Sequence, residues 1–312
     1  MKLVDFMHYK RNILISLLAG VLVGISACDG VDRSSEEYLE SAQVYLDKNN
    51  FSSAVVELKS ALQQDINNVE ARNLLGDVYL QVGKGEDAEK EIRRAISLGM
   101  SPSSGATSLA QALLLQGEFQ QVLDSPVELG VSSKTEQAKL LALRGNAHLA
   151  LGNLTIAENS YDRALSLDGN SRYALMGKAR MKATRGDFDG AKVIASKVTA
   201  DAPAFAPIWE LLGDIELAQD QLDSAEAMYT KAIKQGHYLS ESTLKRAGVR
   251  LQQEDYVALK EDTDTLIEAG YQSPHLFYFK GRVDFFNKAY SDAEDAFKAT
   301  LELNSKFWPA KV

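Results

Sequence analysis

From Tyr38 onward, apolar residues recur at helical spacing in short stretches separated by polar breaks. The segment Tyr38 to Gln64, YLESAQVYLDKNNFSSAVVELKSALQQ, reads as two amphipathic helices joined by Lys48-Asn49-Asn50. The next stretch, ARNLLGDVYLQVGKGEDAEKEIRRAISLG from Ala71, has the same layout, with Gly83-Lys84-Gly85 as its break. Small residues keep this register along the chain. In the first helix of each unit they are Ala42, Gly76, Ala110, Gly145, Ala179, Gly213, Ala247 and Gly281, spaced by 34 residues except for one interval of 35. The second-helix positions follow in step as Ala54, Ala88, Val122, Ala157, Ala191, Ala225, Leu259 and Ala293. Helices can approach closely only where side chains are small, so the register marks where the two helices of each unit cross.

This period resembles that of the tetratricopeptide repeat. Trp209-x2-Leu212-Gly213 is similar to the repeat's opening, and Ala225-x3-Tyr229 and Ala293-x3-Phe297 to its second helix. The resemblance implies an all-α, right-handed superhelix (an α-solenoid) of about eight helix-turn-helix repeats. Units are expected at about 35–68, 69–102, 103–137, 138–171, 172–205, 206–239, 240–273 and 274–307. Two units look irregular. Pro126 falls in the second helix of the third, beside the one-residue insertion, so residues 124–134 are expected to bend or loosen the array. The seventh is weak at Leu259, Thr263 and Leu266.

Residues 1–27 fall outside this pattern. Lys2, Lys10 and Arg11 precede an uncharged run from Asn12 to Ala27, the layout of a secretory signal. Its apolar part, Ile13 to Ile25, is marginal for a bilayer span, which takes about 20 residues. Ile25-Ser26-Ala27-Cys28 resembles the bacterial lipobox, and Cys28 is the chain's only cysteine. The resemblance implies cleavage before Cys28 and a diacylglyceryl group on its thiol, with residues 28–34 as a lipidated linker. Each buried methylene contributes about 0.8 kcal/mol, so two or more acyl chains hold a protein firmly on a membrane. Loss of residues 1–27 would remove three cations and one anion and carry the formal charge from −9 to −11. Asp29 resembles the residue that retains enterobacterial lipoproteins in the inner membrane; the outer membrane is the alternative.

Composition narrows the partners. An acidic chain of pI near 5.1 lacks the basic surface that nucleic acid requires. One cysteine permits neither an internal disulfide nor a Cys-based metal cluster. Of the four histidines, His8 lies in the signal, and His148, His237 and His275 lack metal-ligand spacing. His148 stands at the repeat position of Tyr45 and Tyr79, which suggests packing. There is no phosphate loop, nucleophile elbow or paired-carboxylate motif. The expectation is therefore a non-enzyme with no cofactor beyond the acyl lipid on Cys28, no metal and no small-molecule substrate.

Repeat arrays work by presenting surface, and first helices line their concave face. By analogy with tetratricopeptide proteins, candidate partner-binding positions are Asn73, Asp77, Asn146, Tyr173, Arg180, Asp214, Tyr278 and Arg282. Glu70 and Asp77 stand where the chaperone-binding version of the family uses cations or amides, which disfavours a co-chaperone role.

A narrower likeness covers residues 28 to about 125. The runs VVELKSALQQDINNVEARNLLGDVYLQVGKGEDAEKEIRRAISLGMSP and LAQALLLQGEFQQVLDS resemble the tetratricopeptide lipoproteins of the PEP-CTERM system. That resemblance implies a periplasmic, membrane-anchored scaffold for protein partners in exosortase-linked sorting and exopolysaccharide biosynthesis or export. The alternative is an outer-membrane lipoprotein that assembles a secretion, pilus or barrel-insertion machine. The last unit, with Phe277, Phe279, Phe285, Phe286 and Phe297, lacks the polar cap that usually ends a solenoid. Residues 308–312 read like the start of a further helix, so this end is expected either to continue or to dock onto a partner.

Overall fold

The structure is a computed structural model that describes residues 33–124, 133–235 and 239–307. Among these residues the chain forms sixteen α-helices, which pair into eight hairpins. The first four hairpins are α1 (Ser35–Leu46) with α2 (Phe51–Gln64), α3 (Val69–Gln81) with α4 (Gly85–Ser97), α5 (Pro102–Leu115) with α6 (Phe119–Asp124), and α7 (Lys134–Ala150) with α8 (Leu154–Leu167). The second four are α9 (Arg172–Thr184) with α10 (Phe188–Asp201), α11 (Ala206–Ala218) with α12 (Leu222–Lys234), α13 (Leu239–Gln252) with α14 (Tyr256–Glu268), and α15 (Pro274–Phe286) with α16 (Tyr290–Leu303). This is the all-helical repeat array that the 34-residue spacing predicts.

The fourth hairpin departs from its expected start near residue 138. Its first helix begins at Lys134, where the Ser133 hydroxyl accepts from the Glu136 amide, so the helix runs 17 residues and absorbs the extra length. Before it, α6 has only six residues. Pro126 lies outside the described residues, as do the signal segment 1–27, Cys28, Asp29, His8, His237 and residues 308–312.

Every hairpin closes with the same turn. Asn49, Gly83, Gly117, Gly152, Gly186, Asp220, Glu254 and Lys288 all adopt positive φ, between 55° and 81°. In each case the following amide reaches back to a carbonyl five residues earlier, from Asn50 to Tyr45 through Ala289 to Asp284, at 2.8 to 2.9 Å. This left-handed C-cap satisfies carbonyls that the helix end leaves open. The residue after it starts the second helix. Asn50, Asp187 and Asp255 cap that helix by accepting from the amides of Ser53, Gly190 and Ala258.

The small-residue register holds throughout. Ala42, Ala110, Ala179 and Ala247 are buried, as are Gly76, Gly145, Gly213 and Gly281, and so are all eight of the second-helix positions. Glycine and alanine alternate along the first helices, and the partner sixteen residues on varies with them. Glycine faces the bulky Ile92, Tyr161, Tyr229 and Phe297, whereas Ala42 is followed at that spacing by Leu58, Ala179 by Ala195 and Ala247 by Thr263. In four hairpins a glycine thus makes room for a bulky side chain on the second helix, as close packing requires.

The seventh unit, weak in its match to the repeat pattern, is nevertheless closely packed. Leu259, Thr263 and Leu266 are fully buried, and so is Asp262, at 2 % exposure. The Arg246 guanidinium donates to both Asp262 oxygens, at 3.1 and 2.6 Å, and Arg250 approaches the same carboxylate at 3.0 Å. Two cations around one carboxylate compensate its desolvation and bind α13 to α14. The hydrophobic pattern carries no trace of this arrangement.

First helices also pack on the first helices of neighbouring hairpins, α3 on α5, α5 on α7, α7 on α9, α9 on α11 and α13 on α15. Among the described residues the second helices make no comparable contacts with one another. Rows of first helices are therefore drawn together while the second helices splay, which puts the first helices on the inner side of the curve. No helix among the described residues is long and apolar enough to cross a membrane.

Candidate functional site

Side chains on the inner row bridge from one hairpin to the next. The Ser108 hydroxyl of α5 donates to Asp77 of α3 at 2.8 Å, and the Thr107 hydroxyl of α5 donates to Glu136 of α7 at 3.0 Å. Burial raises the Asp77 pKa above its ordinary value, against the opposing pull of the Ser108 hydroxyl and the Lys139 charge. The Lys139 ammonium lies 5.3 Å from the centre of the Tyr173 ring on α9, which meets Phe205 edge-on at 5.2 Å. Arg172 reaches both rings, at 5.5 and 5.1 Å, so cations frame an aromatic pair in the middle of the row.

Farther along, Lys245 of α13 donates to Glu210 and Asp214 of α11, at 2.7 and 3.0 Å. The Ser242 hydroxyl donates to the other Glu210 oxygen at 2.7 Å. Burial opposes the charge of Lys245, but the two carboxylates outweigh it and raise the pKa. Glu241 beside them is exposed in part, and partial desolvation of its carboxyl together with the repulsion of Glu210 and Asp214 raises its pKa. Three carboxylates thus surround one ammonium and leave this part of the row acidic.

The structure gives the eight sequence-predicted positions different standing. Arg180 is exposed, while the other seven are half-buried and less free than a solvated groove implies. Asn146 accepts from the Tyr161 hydroxyl and Asp214 from the Tyr229 hydroxyl, both at 2.8 Å and both within their own hairpin. Burial lifts the pKa of both phenols, so they stay protonated donors. Arg282 donates to the hydroxyls of Tyr278 and Tyr256, at 2.9 Å each. Tyr173 packs between hydrophobic clusters, and Asn73 is half-buried on α3. Lys139, Glu210, Ser242 and Lys245, which bridge hairpins, are absent from the predicted set.

His148 is half-buried near the end of α7, and burial, helped by Arg144, lowers its pKa and favours the neutral ring. His275 is exposed and meets Phe307 edge-on at 5.0 Å. Among the described residues no group of His, Cys, Asp or Glu has the arrangement of a metal site. What the inner row offers is hydrogen-bond donors, acceptors, both charges and aromatic faces along stacked helices, a surface suited to an extended polypeptide.

Tetratricopeptide repeat models match residues 45–99, 143–196 and 206–235. Among solved structures, the APC/C hetero-tetramer Cut9-Hcn1 has 11% identity and a TM-score of 0.59, over 92% of this chain and 56% of that one. A structure from the functional characterization of Pseudomonas aeruginosa pilF has 16% identity and a TM-score of 0.50, over 78% of this chain and 95% of that one. A tetratricopeptide repeat protein from Parabacteroides merdae has 15% identity and a TM-score of 0.43, over 89% and 96%. The likeness to the first two, at this identity, is likeness of fold. Three stretches of the chain match tetratricopeptide repeat models, and the all-helical array that contains them resembles tetratricopeptide-repeat solenoids.

Proposed function

We propose that this protein is a membrane-anchored periplasmic scaffold that grips protein components of an exosortase-linked sorting and exopolysaccharide export machine. The observation that carries the reading is the continuous inner row from Asp77 to Lys245. There, polar and aromatic side chains link successive first helices and offer donors, acceptors, both charges and ring faces to a polypeptide. Tetratricopeptide repeats generally bind proteins, which supports the scaffold role and a non-catalytic one. The lipobox at Cys28 and the likeness of residues 28 to about 125 to PEP-CTERM lipoproteins support the anchor and the setting.

Mass spectrometry of the mature N-terminus tests the anchor: a diacylglyceryl-modified Cys28 is expected, and an unmodified cysteine contradicts it. Sucrose-gradient fractionation then separates inner-membrane from outer-membrane placement, with the inner membrane expected from Asp29. A pull-down from crosslinked envelopes tests the partners. Recovery of sorting or export proteins is expected, and recovery of pilus, secretin or barrel-insertion proteins in their place contradicts the assignment.

A further inference from the structure

The seventh and eighth hairpins carry an apolar surface that departs from the repeat's own rule. Val257, at 73 % exposure, is the most exposed large hydrophobic among the described residues. At its register, three residues after the left-handed turn position, the other seven units hold Ser52, Glu86, Gln120, Thr155, Asp189, Asp223 and Ser291. Phe286 is 56 % exposed, at a register occupied elsewhere by Asp47, Gln81, Leu115, Ala150, Thr184, Ala218 and Gln252. Seven internal controls thus show that the fold requires neither the valine nor the phenylalanine.

Tyr256 links the two departures. The Phe286 ring stacks on Tyr256, the neighbour of Val257, with centroids 4.3 Å apart and planes within 12°. Arg282 holds the Tyr256 hydroxyl from below, so the stacked pair is fixed before anything binds. Phe285 and Tyr290, 59 and 60 % exposed, add a second ring pair at 5.6 Å. Six of the other seven units hold a large apolar residue at each of these two registers, against Leu115 alone at that of Phe286, so Phe285 and Tyr290 enlarge the patch without setting it apart. Rigid, clustered aromatic side chains are what protein interfaces use as anchors. An exposed patch of this kind on a repeat protein calls for an occupant.

Charge indicates which one. Glu254 in the α13–α14 turn, Glu261 one turn along α14 from Val257, and Asp292 at the start of α16 are exposed carboxylates two to four residues along the chain from Val257 or Tyr290. Lys280 is occupied by Asp284 and Lys260 by Asp264. The remaining cations are Lys288 and the Arg282 guanidinium, which is committed to the two tyrosine hydroxyls. A rim richer in carboxylate than in free cation disfavours an anionic lipid surface and favours a cationic polypeptide.

We infer that this edge of the solenoid is a second docking surface, separate from the inner row, for a polypeptide segment with an aromatic or aliphatic anchor flanked by lysine or arginine. The test uses the full chain, fluorescence anisotropy and two synthetic peptides that share a Trp-Leu anchor, one flanked by lysines and one by glutamates. The lysine peptide is expected to bind about tenfold more tightly or better, and to weaken as salt is raised. Val257→Ser and Phe286→Gln import residues that other units hold at these registers and so leave the fold intact. Together they are expected to lower affinity at least about tenfold, each alone by less, while Arg180→Ala on the inner row has no effect. Equal affinity for the two peptides, unchanged binding in the double variant, or loss through Arg180→Ala overturns the inference. So does stronger partition to phosphatidylglycerol vesicles than to peptide, or self-association abolished by the same double variant.

Discussion

Gly145 lies against the ring of Tyr161, so close that a methyl group on Gly145 would sit 2.5 Å from a ring carbon. Gly177 of the next hairpin presses on the same ring, and Gly213 repeats the relationship with Tyr229. The aromatic side chain fits only because the helix opposite it has no side chain. Gly145→Ala is therefore expected to destabilise the protein by about 1–3 kcal/mol through overpacking. The double variant Gly145→Ala/Tyr161→Leu recreates the Ala42 and Leu58 combination of the first hairpin. Its loss is expected to be smaller than the sum of the two single losses, by denaturant titration.

The turns offer a gain in stability. Glu254 and Lys288 occupy left-handed positions that four other units fill with glycine. A residue with a Cβ costs roughly 1–2 kcal/mol in that conformation. Lys288→Gly is expected to raise the stability by about 1 kcal/mol, read as a higher thermal midpoint, whereas Gly152→Ala lowers it by a similar amount.

Asp262 should be among the most sensitive positions outside the apolar core. Removal of a buried carboxylate that compensates Arg246 and Arg250 leaves two guanidinium groups without their anion. Asp262→Ala is expected to cost about 3–5 kcal/mol, while Lys298→Ala, whose ion pairs are exposed, is expected to leave the stability nearly unchanged. Urea titration of the two variants checks the contrast.

Glu241 gives a pH dependence of definite sign. Its folded-state pKa lies above the ordinary 4.5, because burial and the Glu210 and Asp214 carboxylates outweigh the pull of Lys245 and His275. The folded protein therefore holds this proton more tightly than the unfolded chain. That contribution is fully present below pH 4.5 and is lost as the pH rises through the elevated value. Glu241→Gln removes the step, so the stability of the variant relative to the native protein is expected to increase as the pH rises from 4.5 through the elevated value. A constant difference across this range contradicts the assignment.

The fold was legible in the sequence because close helix approach demands small residues, and demands them at a fixed interval. Ala42 through Gly281 mark the crossings without any knowledge of their partners. Polar packing left no comparable trace. Asp262 beside Thr263 looks like a defect in a hydrophobic helix until Arg246 and Arg250 are seen to close on it. The candidate site was legible only as a face. Asn146 and Asp214 do lie on first helices, but a tyrosine fifteen residues later claims each of them, and periodicity alone does not show which way a side chain turns. Lys245 was missed because its importance comes from two carboxylates on the preceding hairpin.

The central claim, that polypeptides are held on the inner row of first helices, is tested most directly by site-specific photocrosslinking in the cells that make the protein. A photoreactive side chain at Arg180, exposed on α9, is compared with one at Val193, exposed on α10 of the same hairpin. The account predicts discrete polypeptide adducts from position 180 and none from position 193. Adducts from 193 with none from 180 would place the partner on the outer surface and contradict it.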